Sequence, residues 1–214
     1  MRISIVAGGP ERLIPDLKPY DHSTDHIWIG VDRGTLFLLR NGIFPQHAFG
    51  DFDSVSNEER KSIMNSSIKV NQYQSEKDAT DMELALEWAL KQNPEQILIF
   101  GATGGRLDHE LMNIQLLNRS LKVRADVRIL DTRNEISLHL PGCYDIEQDH
   151  RYSYISFLAQ SEEVTGITLD GFKYPLEQAN LQAGSSLCVS NELVNKSGTY
   201  SFDSGIILMV KSRD

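Results

Sequence analysis

QILIFGATGGRLDHELMNIQLL, residues 96–117, decides the fold. Its first five residues are nearly all apolar, as strands covered on both faces of a parallel sheet are. Glycines at 101, 104 and 105 follow, and then leucines or isoleucine at 107, 111, 114 and 117. That spacing predicts a helix over 106–120 with these four residues inward. Strand, glycine-rich exit and helix together are one half of a βα unit. Glycines between a strand and a helix let backbone N–H groups approach an anion, where the helix N-terminus favours negative charge. No Gly-Lys-Ser/Thr follows, so this is not a P-loop of the Walker type, and a tight turn needing positive φ accounts for the glycines equally well. Arg106 is suited to bidentate phosphate binding or to solvent at a helix start, and Asp108 to the first-turn dipole.

The pattern extends outward in both directions. ISIVAGG (3–9) and HIWIGVD (26–32) read as strands, and RGTLFLLRNG (33–42) as a helix stopped by Gly42. HAFGDFDS (47–54) and IKVNQY (68–73) read as two more strands with their exits. TDMELALEWALKQN (80–93) is a helix, capped by Thr80 with Glu83 and buried through Met82, Ala85, Leu86, Ala89 and Leu90. Alternation of this kind predicts an α/β domain with a mostly parallel, Rossmann-like sheet over residues 1–130. Beyond it the runs shorten and alternate. Turn signals fall at Pro141-Gly142, Asp170-Gly171, Ala183-Gly184, Ser197-Gly198 and Ser204-Gly205, with a short helical turn near 175–181. Residues 131–214 therefore read as an all-β sandwich domain.

The formal net charge of −9 argues against general nucleic-acid binding, which needs a positive footprint. Cys143 and Cys188 stand far apart without a C-x-x-C, which suggests neither a zinc site nor a disulfide framework and points to a reducing cytoplasm. The opening apolar run is too short for a signal peptide, and no stretch approaches membrane-spanning length.

Four strand exits carry chemistry-capable groups: Gly8-Gly9, Asp32-Arg33-Gly34, Gly50–Ser54, and Gly101–Gly105 with Arg106 and Asp108. Ligands of open parallel sheets bind outside the carboxyl ends of the strands, so these exits should converge on one rim. In GDFDS (50–54), Asp51 and Asp53 alternate along an extended segment and face one spot. Like charges that close call for a neutralising partner, and a hard divalent cation prefers carboxylate oxygens; an acidic surface turn is the simpler reading. Asp78 and Asp81 sit at a helix start, where acidic residues are favoured anyway; on a functional reading Asp81 becomes a third carboxylate and Lys77 meets phosphate. Asp32 ends a strand and suits an N-cap. His109 reads as a surface residue, and Trp28 and Trp88 as core or interface.

The ordered set VDRG (31–34), GDFDS (50–54), EKDATDME (76–83), GATGGRLDH (101–109) and SN (190–191) resembles the thiamine pyrophosphokinase family along the whole chain. The resemblance implies a homodimer that uses ATP, Mg²⁺ and thiamine, with thiamine near the subunit interface. Asp51, Asp53 and Asp81 then look like the metal-binding and catalytic carboxylates. Lys77, Asp78, Thr80, Thr103, Gly104, Gly105, Arg106 and Asp108 look like the ATP set, with Asp32, Ser190 and Asn191 on the thiamine side. Two positions depart from the family: Arg33 replaces a frequent glycine, and Ile206 aligns with a tryptophan that covers thiamine in some animal members. A pyrophosphokinase for another hydroxymethyl heterocycle, such as a pterin alcohol, and a non-catalytic nucleotide or thiamine sensor are the rival readings.

Overall fold

The computed structural model describes residues 1–21, 25–51, 68–71, 79–123 and 125–214, which form two compact units, Met1–Thr132 and Arg133–Asp214. Among the described residues the first unit holds six parallel strands: β1 (Arg2–Val6), β2 (His26–Val31), β3 (His47–Phe49), β4 (Lys69–Asn71), β5 (Gln96–Phe100) and β6 (Asp126–Leu130). Their order is β4-β3-β2-β1-β5-β6. The central strands are buried on both faces: Ile3, Ile5, Ile29, Ile97, Ile99 and Phe100 are all 0% exposed. That double burial is why their sequences run apolar instead of alternating. The chain steps outward from β1 to β4, then returns to the other side of β1 with β5. The reversal creates a crevice between the exits of β1 and β5, where open parallel sheets take their ligands.

Three α-helices are present among the described residues of this unit. Helix α1 (Arg33–Arg40) ends as expected at Gly42: the Gly42 N–H bonds Leu39 O at 3.1 Å and the Ile43 N–H bonds Leu38 O at 3.0 Å. In α2 (Asp81–Lys91), Thr80 Oγ1 accepts the Glu83 N–H at 3.2 Å, and the five stripe residues named above are the buried ones. The Glu83 carboxylate itself pairs with Arg119, as does that of Glu87.

Helix α3 (Leu107–Leu116) corrects the expected inward face. Leu107 and Leu111 are 67% and 55% exposed, while Leu117, in the 3-10 turn that follows, is fully buried. The inward side is Glu110, Asn113 and Ile114, half-buried, with Leu116 and Leu117 fully buried, and its polar members have a purpose. Asn113 Nδ2 donates to Ala102 O at 2.9 Å, and Glu110 accepts the Gly104 N–H. A helix that packs over a bare loop must satisfy that loop's backbone, so its inner face cannot be all leucine.

The second unit is all-antiparallel. β7 (Asn134–His139), β13 (Ile207–Ser212) and β9 (Tyr154–Ala159) form one sheet in the order β7-β13-β9. β11 (Leu176–Gln182), β10 (Glu163–Asp170), β12 (Ser197–Phe202) and β8 (Gly142–Glu147) form another, in the order β11-β10-β12-β8. Both contribute to one apolar core, including Phe157, Ile207 and Met209 from the first and Ile146, Val164, Ile167, Leu181, Tyr200 and Phe202 from the second. Two local expectations are corrected here. Residues 176–182 are strand β11, not a helical turn, held by pairing with β10 and by the buried Leu181. Ser197-Gly198 lies inside β12, where a Cβ on Gly198 would come 2.7 Å from Asp170 O. A glycine there marks close strand approach rather than a turn. Both cysteines are free, and burial pushes the Cys188 thiol up to about 11, so it stays protonated and unreactive.

Candidate functional site

The exits of β1, β2, β3 and β5 and the start of α2 line one cavity of about 880 Å³ within the first unit. That is ample for a nucleotide, since such sites run from about 300 to 1,000 Å³. It is lined by Gly8 and Gly9, by Asp32 and Arg33, by Asp51, by Thr80 and Asp81, and by Gly101, Thr103, Gly105, Arg106 and Asp108. Asp53, Lys77 and Asp78 lie outside the described residues. Among the described residues no three His, Cys, Asp or Glu side chains converge on a common point.

Close backbone approach shapes the crevice. The Gly9 N–H donates to Gly101 O at 2.9 Å, and a Cβ on Gly9 would run into that same carbonyl. Asp32 holds φ 49 and ψ −121, a conformation rare for anything but glycine, and its side chain makes no capping bond. Instead its N–H bonds Phe49 O at 2.9 Å, and its carboxylate fills the space a Cβ on Gly50 would need. The glycine of GDFDS is thus a consequence of Asp32. A strained carboxylate-bearing residue at a cavity wall is where backbone strain tends to be kept for function.

The glycine-rich exit is organised by its own side chains. Gly104 takes φ +75, the positive value the turn reading requires. Thr103 Oγ1 donates to Asp131 Oδ2 at 2.7 Å with both residues buried, so the Thr103 side chain braces the loop and leaves its backbone to the cavity. Arg106 and Asp108 pair with each other, Nε to Oδ1 at 3.1 Å and Nη2 to Oδ2 at 2.6 Å. That bond holds the Asp108 carboxyl down to about 2, so the pair stays charged at any physiological pH. Asp131, Glu110 and Asn113 escaped the sequence reading. Their only signal was the polar i, i+3 spacing of Glu110 and Asn113 on a helix expected to bury leucine.

Ser190 and Asn191 belong to the second unit, and Asn191 departs from the expectation of a ligand-facing amide. It is 2% exposed. Its Oδ1 accepts the N–H groups of Tyr174 (3.0 Å) and Glu192 (2.9 Å), and its Nδ2 donates to Tyr174 O (2.8 Å). Its backbone meanwhile pairs with Ile155 in both directions. Asn191 therefore ties the 172–174 segment to β9. Ser190 holds φ 56 while its N–H bonds Ser156 Oγ at 2.9 Å. Asn191→Ala is expected to destabilise the fold by about 2–3 kcal/mol, since it strands buried backbone groups of Tyr174. Urea unfolding measures this, and an unchanged midpoint would contradict the bracing role.

A family model described as thiamin pyrophosphokinase, catalytic domain, matches residues 21–129, and one described as thiamin pyrophosphokinase, vitamin B1 binding domain, matches residues 143–207. The thiamine pyrophosphokinase of Bacillus subtilis (strain 168) is 52% identical over 213 residues, covering 99% of each chain. A crystal structure of thiamine pyrophosphokinase from Bacillus subtilis superposes with a TM-score of 0.95 at 49% identity, covering 100% of both chains. The thiamin pyrophosphokinase of Geobacillus thermodenitrificans gives 0.92 at 47% identity, covering 100% of this chain and 98% of that one. Likeness of that extent, in sequence and in fold and from end to end, places the chain: it belongs to the thiamine pyrophosphokinase family.

Proposed function

We propose that this chain transfers the pyrophosphoryl group of ATP to the hydroxyl of thiamine, giving thiamine diphosphate and AMP. The observation that carries this is the 52% identity to a thiamine pyrophosphokinase over essentially the full length of both proteins. The thiamine oxygen attacks the β-phosphorus, the bond from that phosphorus to the α-phosphate bridging oxygen breaks, and the hydroxyl proton leaves to a base or to water. Such a transfer asks the protein mainly for positioning and charge neutralisation. In our reading the backbone of Gly8, Gly9 and Gly101–Gly105 cradles the phosphates, and Arg106 and Lys77 add positive charge. Thr80 and Asp78 complete the ATP set, with Asp108 orienting Arg106.

The donor set fits Mg²⁺. Asp51 and Asp81 line one cavity and offer the hard oxygen ligands that ion takes, with Asp53 two positions along the chain. Bound Mg²⁺ would neutralise the charge on the transferring phosphates. The second unit we read as a β-sandwich that binds thiamine through the region of Ser190, with Asn191 acting as its brace, and Asp32 we also assign to the substrate set. The parallel sheet we read as Rossmann-like, the protein as a homodimer and its location as the cytoplasm. No helix among the described residues is long and apolar enough to cross a membrane.

The pterin-alcohol and sensor readings are not favoured, because the extended likeness is to thiamine pyrophosphokinases. An acceptor panel decides between them. With ATP and Mg²⁺, thiamine should be consumed and a hydroxymethylpterin left intact. Turnover of the pterin without turnover of thiamine would reverse the assignment, and turnover of neither would favour a sensor.

A further inference from the structure

Two donors of the glycine-rich exit are already held by carboxylates of α3. Arg106 faces both oxygens of Asp108, and the Gly104 N–H donates to Glu110 Oε2 at 2.9 Å. The two contacts differ in kind. Asp108 is exposed and carries its cation with it, so the pair can turn toward a phosphate together. Glu110 is half-buried, faces inward and lines the same cavity, and among the described residues no Lys or Arg pairs with it. It presents a negatively charged oxygen where a phosphate oxygen would receive the same N–H.

We propose that Glu110 is an affinity-setting residue for ATP: an internal anion on the Gly104 N–H that an incoming phosphate must displace. The inference rests on the reading of this loop as the ATP site. Charge-assisted bonds to carboxylates are about twice as strong as neutral ones, so the displacement opposes binding. Once displaced, the negative charge of Glu110 remains beside the polyphosphate and repels it. The residue costs affinity twice, and both costs fall on the phosphates and not on the nucleoside.

The opposing possibility is that Glu110 simply braces the loop. Two substitutions separate the cases. Glu110→Gln keeps an acceptor for the Gly104 N–H but removes the charge, and Glu110→Ala removes both. Equilibrium binding of ATP and of adenosine, each with Mg²⁺, is the readout. The proposal expects ATP to bind about tenfold more tightly to both variants, the scale of losing one charged hydrogen bond, with adenosine unmoved. ATP binding that weakens in the Ala variant and recovers in the Gln variant is the signature of a brace and overturns the proposal, as does unchanged affinity in both. Wild-type protein that takes up no ATP overturns the nucleotide reading together with this inference.

Discussion

Asp51→Asn should lower turnover by about two to three orders of magnitude, the usual scale for removing one preorganised electrostatic contact to a reacting phosphate or oxyanion. The side chain keeps its shape and loses its charge, so the site keeps its walls and, on the proposed reading, loses a hard anionic ligand. The fold should survive, since Asp51 lines the cavity and the apolar core lies beneath it. Turnover measured against Mg²⁺ concentration, beside a melting curve, reads both effects. A variant that regains wild-type turnover at saturating Mg²⁺ has only weakened the ion's hold. One that shows wild-type turnover at every Mg²⁺ concentration shows that Asp51 is no part of the reaction.

The second large effect is expected at the switch of strand order. Gly9→Ala would place a methyl group against the Gly101 carbonyl, 2.9 Å from its carbon and 3.1 Å from Thr103 O. All three atoms are backbone, so no rotamer relieves the clash, and the exits of β1 and β5 must part. Overpacking of this kind costs about 1–3 kcal/mol. The greater loss should be catalytic if these exits cradle the phosphates as proposed, because displacing such a cradle by about 1 Å can cost about a hundredfold in rate. Gly105→Ala is the control for stability, as its added carbon meets only Pro10 Cδ at 3.9 Å. The Gly9 variant should show a lowered melting temperature and a depressed kcat/KM for ATP, and the Gly105 variant a near-native melting temperature. Equal melting temperatures for the two would show that the close approach at Gly9 is not a constraint.

The parallel sheet was legible because double burial writes itself as unbroken apolar runs: ISIV, HIWIGV and QILIF become β1, β2 and β5. Helix α2 was legible because one face buries and one face does not, and Thr80 marks its start. Helix α3 was misread for the opposite reason. Its inner face looks onto a glycine loop, where Asn113 bonds the Ala102 carbonyl and Glu110 accepts the Gly104 N–H, and polar residues on an inner face disguise the period. Strand β11 was hidden by Leu-Glu-Gln-Ala-Asn, residues of good helical propensity overruled by pairing with β10. At the site, residue types and loop positions were readable from the sequence, and pairings were not. Thr103 with Asp131, Arg106 with Asp108 and Glu110 with Gly104 all depend on how the exits fold back. Asn191 is the clearest case. An amide suited to a heterocycle by its chemistry is spent on Tyr174 and Glu192, a use that only tertiary contacts reveal.

On the proposed function, two phosphates move in one step from ATP to thiamine. Incubating the protein with thiamine, Mg²⁺ and ATP labelled at the β-phosphorus tests it most directly. The expected products are AMP without label and thiamine diphosphate with it, in equal amounts and without accumulation of thiamine monophosphate. Labelled ADP formed together with thiamine monophosphate would mean transfer of the γ-phosphate alone, and would contradict the account.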